Sequence, residues 1–317
     1  MSDALDRQQE PGWLLPYLVA LDTANVSLGD LSKEEAKNFP PHCPTSFTGH
    51  RRWQYWLHTI DAGKLLDDPI PQIDFDGRPR PQDEKAIQDL LQVAVRRHYS
   101  WYPEAWINFV RWILYGFGKG ALKDEVARIP EDLRESWYHG FNLANLLNSP
   151  CDWSAYVLQG GLRDDRNTLS PWAKSTGFYS TPMPVCKMMS QMMMGDGADH
   201  RRESVADPCC GTGSMLLCAS NYSLRLFGQD IVFDLCLCAE LNGWLWMPWL
   251  VFMPPETEAW LEGENRIVSD GRVFCGDTLA GEGIGGQMAS QRRQSAEDFQ
   301  AAVKAGKLSQ GYLWGEE

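Results

Sequence analysis

The residues in this sequence best arranged for chemistry are Val205-Ala206-Asp207-Pro208-Cys209-Cys210-Gly211-Thr212-Gly213-Ser214. A short apolar strand ending at Asp207 would deliver a carboxylate to the end of a sheet. Gly211 and Gly213 permit a tight turn and a close approach of backbone to ligand. A helix starting at Ser214 would present free N–H groups and the positive end of its dipole. Such a turn suits a ligand carboxylate, as on a methionine moiety, while Asp207 can accept from that ligand's ammonium. A Gly-x-Gly alone is a common strand–helix turn. The full Asp-Pro-x-Cys-Gly-Thr-Gly string is far more restrictive.

Four further segments accompany it in order. Upstream lies Gly177-Phe178-Tyr179-Ser180-Thr181-Pro182, with Val185 and Met189 after it. Downstream come Phe227-Gly228-Gln229-Asp230-Ile231 and then Ala239-Glu240-Leu241-Asn242. The last is Cys275-Gly276-Asp277-Thr278-Leu279. Singly, Asp230 and Asp277 read as solvated turn acids. In this order they read as parts of one site.

Taken together, the segments resemble the S-adenosylmethionine (SAM) site of DNA adenine-N6 methyltransferases. Within that family they resemble the modification subunits of type I restriction–modification systems. The likeness covers about residues 165–280. It implies a SAM pocket built from Phe178, Tyr179, Thr181, Pro182, Asp207, Pro208, Cys209, Gly211, Gly213, Asp230, Ile231 and Asp277. The Phe178–Pro182 segment would close over the methionine end. Asp230 would bind the ribose hydroxyls, as a carboxylate at that strand end does in dinucleotide folds. Asp277 would sit near the adenine of SAM.

The same family needs an Asn-Pro-Pro-aromatic motif to hold the flipped target adenine. No Asn-Pro-Pro occurs in the chain, and no Asn lies beyond Asn265. Asn38-Phe39-Pro40-Pro41 and Asn148-Ser149-Pro150-Cys151 are imperfect candidates for a displaced copy. Both precede the SAM-type segments and read as loop or helix-end punctuation. Phe252-Met253-Pro254-Pro255 lacks the amide. The favoured expectation is therefore a SAM-binding relative without a complete catalytic site, a pseudoenzyme. The alternative is an active adenine-N6 DNA methyltransferase whose catalytic residues are displaced or come from a partner. A methyltransferase for a small molecule or protein is the weakest of the three.

The elements that must position these residues follow from patterning. Strands are expected at Ser204–Ala206, Leu224–Phe227 and Arg272–Cys275. Helices are expected at Pro184–Met194, Ser214–Tyr222 and Phe233–Trp246. This strand–helix alternation predicts a doubly wound α/β sheet, and the resemblance implies a Rossmann-like SAM-dependent methyltransferase sheet over 166–317, complete or truncated. The tail lacks obvious fourth and fifth strands and offers only a polar helix candidate at 289–305. That leaves a sheet edge open, and exposed edges are normally covered. The helical region, the aromatic run 244–255, a protein partner or a second copy are the candidates.

Residues 1–165 are expected to form a helical, Trp-rich domain. Apolar residues recur every three to four positions in 51–66, 81–98, 103–115 and 130–147. Seven of the fourteen tryptophans lie before residue 150, at 13, 53, 56, 101, 106, 112 and 137. They are expected mainly to fill a helical core. Arg51, Arg52 and Trp53 form a basic–aromatic cluster that could grip a nucleic-acid backbone and stack a base.

Composition bounds these readings. The chain has 317 residues, 44% of them hydrophobic, and a net charge of −13. Duplex DNA is bound chiefly through Lys and Arg, so this acidic chain is a poor general DNA binder and would need a local basic cleft or a basic partner. The nine cysteines contain no Cys-x-x-Cys pair, which argues against a metal site, and their odd number in a long chain argues for reduced thiols. The N-terminal ten residues are polar, and the run 244–255 is too short to span a bilayer. A cytoplasmic protein is expected.

Overall fold

The computed structural model describes residues 8, 10–27, 46–162, 170–262, 272–280 and 282–283. The first half is helical. Helix α1 (Leu15–Asp22) is followed by a short antiparallel pair, β1 (Asn25–Ser27) and β2 (Ser46–Thr48). Then come α2 (Arg52–Ala62), α3 (Pro81–Arg97), α4 (Tyr102–Phe117), α5 (Lys123–Ala127), α6 (Glu131–Gly140), α7 (Leu143–Leu147) and α8 (Trp153–Leu158). Helix α3 shows why such segments fold. Pro81 occupies its first turn, Asp83 and Glu84 follow, and Arg96 and Arg97 close the last turn. Those charges complement the helix dipole. Ile87, Leu90, Leu91 and Ala94 form its buried stripe.

The single helix predicted over 130–147 is two helices. Phe141 is extended, and the Asn142 side chain accepts the Ala144 N–H at 3.0 Å, capping α7. Asn142 starts a new helix because its amide satisfies a backbone donor that the first turn leaves orphaned.

The second half contains α9 (Pro171–Thr176), α10 (Met183–Met194), β3 (Ser204–Asp207), α11 (Ser214–Ala219), β4 (Arg225–Asp230) and α12 (Phe233–Trp246). It continues with α13 (Pro248–Val251), α14 (Pro255–Glu262) and β5 (Val273–Cys275). The three strands form a parallel sheet in the order β3-β4-β5. Helix α11 lies against β3 and β4, and α12 lies against β4 and β5. The chain is thus mixed α/β, and its small parallel sheet puts Asp207, Asp230 and Cys275 at one end.

One hydrophobic core runs through both halves. Helix α4 packs along α12, and α13 packs on both β4 and α2. The predicted basic–aromatic cluster sits in this seam. Arg52 is 1% exposed and lies between the rings of Phe75 and Trp249. Its Nη1 donates to Ser220 Oγ at 2.6 Å and to the Trp246 carbonyl at 2.8 Å. Its Nη2 donates to Asn221 Oδ1, and its Nε to the Pro71 carbonyl at 2.9 Å. Trp53 is buried too, stacked on Trp244, with its Nε1 donating to the Trp244 carbonyl. Neither side chain is presented at the surface, so the nucleic-acid role expected for Arg52 and Trp53 is replaced by a structural one. Only Arg51 of the three is exposed.

The other tryptophans of the first half mostly serve the core. Trp56, Trp106, Trp112 and Trp137 are buried, and Trp13 packs on Trp112 and Tyr138. Trp101 is the exposed exception. The aromatic run 244–255 is likewise committed to this seam, with Trp246, Trp249 and Leu250 buried. Asn38–Pro41 and the 289–305 helix candidate lie outside the described residues. No helix among the described residues is long and apolar enough to cross a membrane.

Candidate functional site

The ends of β3 and β4 open into a cavity of 470 Å³. Ten of the twelve predicted pocket residues line it: Phe178, Tyr179, Thr181, Asp207, Pro208, Cys209, Gly211, Asp230, Ile231 and Asp277. Two do not. Pro182 lines an adjoining cavity on the far side of its segment. Gly213 supports the wall from behind: its φ is +87°, and a Cβ there would stand 3.4 Å from Ala239. Gly211 also has positive φ, +55°, and a Cβ there would come within 3.0 Å of the Phe178 ring. The turn is therefore shaped by close approach on both sides, which glycine alone permits without strain.

The site is held by its own backbone. Asp230 accepts the Gly211 N–H and the Val232 N–H, each at 2.9 Å, joining the β4 end to the glycine turn. Asp207 accepts the Cys209 N–H at 3.2 Å. Asp277 caps its own turn by accepting the Leu279 and Ala280 N–H groups. Thr278 Oγ1 donates to the Pro208 carbonyl at 2.7 Å, tying the segment after β5 to the segment after β3.

Sequence reasoning missed Asp152. This buried carboxylate caps α8 by accepting the Ala155 N–H at 2.9 Å. Its second oxygen accepts from Thr212 Oγ1 at 2.6 Å and from Ser214 Oγ. Asp152 thereby grips the two hydroxyls that flank Gly213, while Asn242 Nδ2 donates to the Thr212 carbonyl at 2.8 Å. Burial pushes its carboxyl above the ordinary range, opposed by the hydrogen bonds it accepts. A capping signal, Asp before an apolar helical run, marks it in the sequence, but nothing local says that it reaches residue 212.

The displaced-motif candidate at Asn148 is accounted for by packing. Its Nδ2 donates to Asp83 at 2.9 Å, and its Oδ1 accepts from Arg80 at 3.1 Å. The amide is buried and engaged.

The electrostatics of the cavity are one-sided. Asp207, Asp230 and Asp277 line it, and no Lys or Arg does among the described residues. Burial raises the Asp207 carboxyl above its usual range; the Cys209 N–H opposes this and the nearby Asp230 carboxylate adds to it. Unpaired, partly buried carboxylates favour a cationic ligand and disfavour a polyphosphate.

Residues 167–244 match the family model described as N-6 DNA methylase. Over these residues the chain is similar to N-6 DNA methylases. The match takes in 78 of the 317 residues and includes α10, the glycine turn, β4 and most of α12. No curated protein and no solved structure matches the chain. The methylase-like segment thus supplies most of the cavity wall, and the loop after β5 closes one side. The residues present fit SAM, the donor this family uses. SAM carries a sulfonium and an ammonium, for which the carboxylate lining is suited, and a carboxylate, for which the N–H groups after Gly211 are suited.

Proposed function

We propose that this chain is a SAM-binding protein of the DNA adenine-N6 methylase family, built on a Rossmann-like sheet. The chain would hold the methyl donor without itself supplying a complete acceptor site. The carrying observation is the cavity in which four separate segments bring three carboxylates, and no basic side chain, to the ends of β3 and β4. When bound, SAM offers a methyl group on its sulfonium to a nucleophilic amine. Asp207 accepts from the ammonium at the methionine end. Asp230, already braced by two N–H groups, turns its remaining lone pairs to the ribose hydroxyls. Ile231, two-thirds exposed, offers an apolar face to the adenine of SAM.

The acceptor side supports the second half of the proposal. Asn148 is consumed by packing, and Tyr179 and Leu279 stand exposed at the rim with no amide among the cavity's lining residues. Isothermal titration with SAM, followed by transfer of a tritiated methyl group to unmethylated DNA, tests the reading. Binding at one site without transfer is expected for the chain alone. Transfer that Asp207→Ala abolishes would favour the active-enzyme alternative. Absence of SAM binding would overturn the pocket assignment.

A further inference from the structure

The cavity at the ends of β3 and β4 has a neighbour. A second cavity, of 430 Å³, lies on the other side of the segment 178–182, and Ser180, Thr181 and Ser214 line both. The wall between them is a row of polar side chains. Ser214 Oγ lies 2.5 Å from Asp152 Oδ2 and 3.0 Å from Ser180 Oγ. Asp152 belongs to the helical half, Ser214 opens α11, and Ser180 lies in the segment that closes one side of the first cavity.

The protons of this row can be assigned. A carboxylate only accepts, and a serine hydroxyl has one proton to give. Asp152 Oδ1 takes the Ala155 N–H at 2.9 Å, so Oδ2 takes the hydroxyl protons of Thr212 and Ser214. Ser214 then has only lone pairs to offer, and Ser180 is the donor between the two serines. Donation therefore runs one way, from Ser180 to Ser214 to Asp152. The donors favour the ionised carboxyl and oppose the upward push of burial. A chain of hydrogen bonds that ends on a charge is strengthened along its length. Capping α8 needs only one oxygen of Asp152. The other is spent on the cavity wall.

We infer that Asp152 is a positioning residue for the cavity: through Ser214 and Ser180, this carboxylate of the helical half holds the segment 178–182 and the glycine turn in the arrangement that receives a ligand. The segment is anchored at its start, where the Phe178 N–H reaches the Ala173 carbonyl at 3.0 Å and the ring meets Trp172. Past Tyr179, which is 68% exposed, Ser180 carries the link to the glycine turn. The helical half thereby sets the fraction of molecules whose cavity is ready, and apparent affinity falls in proportion to that fraction.

Amide exchange and SAM titration of the full chain test the role, with Asp83→Asn as control. Asp83 is a matched case: a buried carboxylate of the helical half that accepts from Asn148 and Ser149. In Asp152→Asn the amide oxygen keeps the Ala155 N–H and the NH2 group turns to the hydroxyls, so the row loses its charged end and must reverse. The Phe178 amide and the Gly213 amide, bonded to the Cys210 carbonyl at 2.8 Å, should then exchange at least about tenfold faster, while Asp83→Asn leaves both rates unchanged. SAM affinity should fall about tenfold, the scale of one hydrogen bond. Ser180→Ala should weaken SAM as well, but add less than about twofold to Asp152→Asn, because both break the same row. Ser180 is only partly buried, so its variant folds and decides the matter by Phe178 exchange if Asp152→Asn does not fold. Unchanged Phe178 exchange, equal acceleration in Asp83→Asn, or independent losses in the double variant would each overturn the inference. The affinity readings rest on the SAM assignment proposed above. The exchange readings need no ligand, so failure of that assignment and failure of the Asp152 role are distinguishable.

Discussion

The helical half and the half that holds the methylase-like segment use charge in opposite ways. In the helical half, buried charges are tied to neighbours. Arg52 serves four acceptors, Asp22 accepts the Arg52 and Gln54 N–H groups, and Asp83 accepts from Asn148 and Ser149. In the half that holds the methylase-like segment, Asp207, Asp230 and Asp277 face one cavity with no cation among its lining residues. Charges of the first kind hold the molecule together. Charges of the second kind lack a structural counterion, and that difference separates architecture from a site more sharply than residue type does.

The largest effect should come from breaking the architectural kind. Arg52→Ala strands the Ser220, Asn221, Trp246 and Pro71 acceptors and removes the counterion of Asp22. Breaking a buried charge network in this way costs about 3–5 kcal/mol. Urea unfolding of the chain should show that loss, and the half-chain seam should loosen with it. A loss under about 1 kcal/mol would mean that the seam does not depend on Arg52.

The next effect belongs to the site. Asp207→Ala should leave stability nearly unchanged while SAM affinity falls about 10- to 100-fold. That is the range set by one charge-assisted hydrogen bond of about 1.5–3 kcal/mol. Isothermal titration reads the affinity and thermal unfolding reads the fold. A large fall in stability with little change in affinity would put Asp207 among the architectural charges.

This contrast was only half legible in the sequence. The glycine turn, β3, β4, α11 and α12 follow from local rules: an apolar run, a Gly-x-Gly, a 3.6-residue stripe. Their residues therefore converge where the motif spacing implies. Arg52 and Asp152 were not legible, because most of the atoms they meet lie 60 to 194 positions away. Beside Trp53, Tyr55 and Trp56, a buried arginine and a nucleic-acid-binding arginine look alike in one dimension. Burial is a property of the packed seam. The same limit hid the break at Phe141, where an apolar stripe continues through a chain that does not stay helical.

A smaller, pH-dependent effect sharpens the distinction further. The Asp207 carboxyl is raised in the folded chain, so the folded state takes up its proton more readily than the unfolded state does. Its contribution to stability therefore grows as pH falls through the window between the ordinary and the raised value. Binding of a fixed cation has the opposite sign, because it needs the carboxylate. SAM affinity should weaken as pH is lowered through the raised Asp207 value, by at most about tenfold per unit for one proton. The decline should flatten in Asp207→Asn. Titrations in buffers of different ionisation enthalpy should show proton release on binding at the lower pH. A pH-independent affinity would assign the ligand contact to another group.

The smallest effect concerns a charge of the helical half that serves neither purpose. Arg51 precedes α2 with φ +60°, the only non-glycine residue among those described with positive φ. A left-handed conformation costs an L-residue about 1–2 kcal/mol, and glycine escapes that cost while losing about 0.5–1 kcal/mol of chain entropy. The two nearly cancel. Arg51→Gly should therefore raise unfolding stability by roughly 0.5 kcal/mol, read as a small shift in the urea midpoint at unchanged slope. The strain persists because the chain must turn there: the Arg51 N–H reaches the Asp22 carbonyl at 2.9 Å while Asp22 Oδ1 receives the Arg52 N–H. A loss of stability would mean that the Arg51 side chain itself supports this turn, and would move it among the architectural charges.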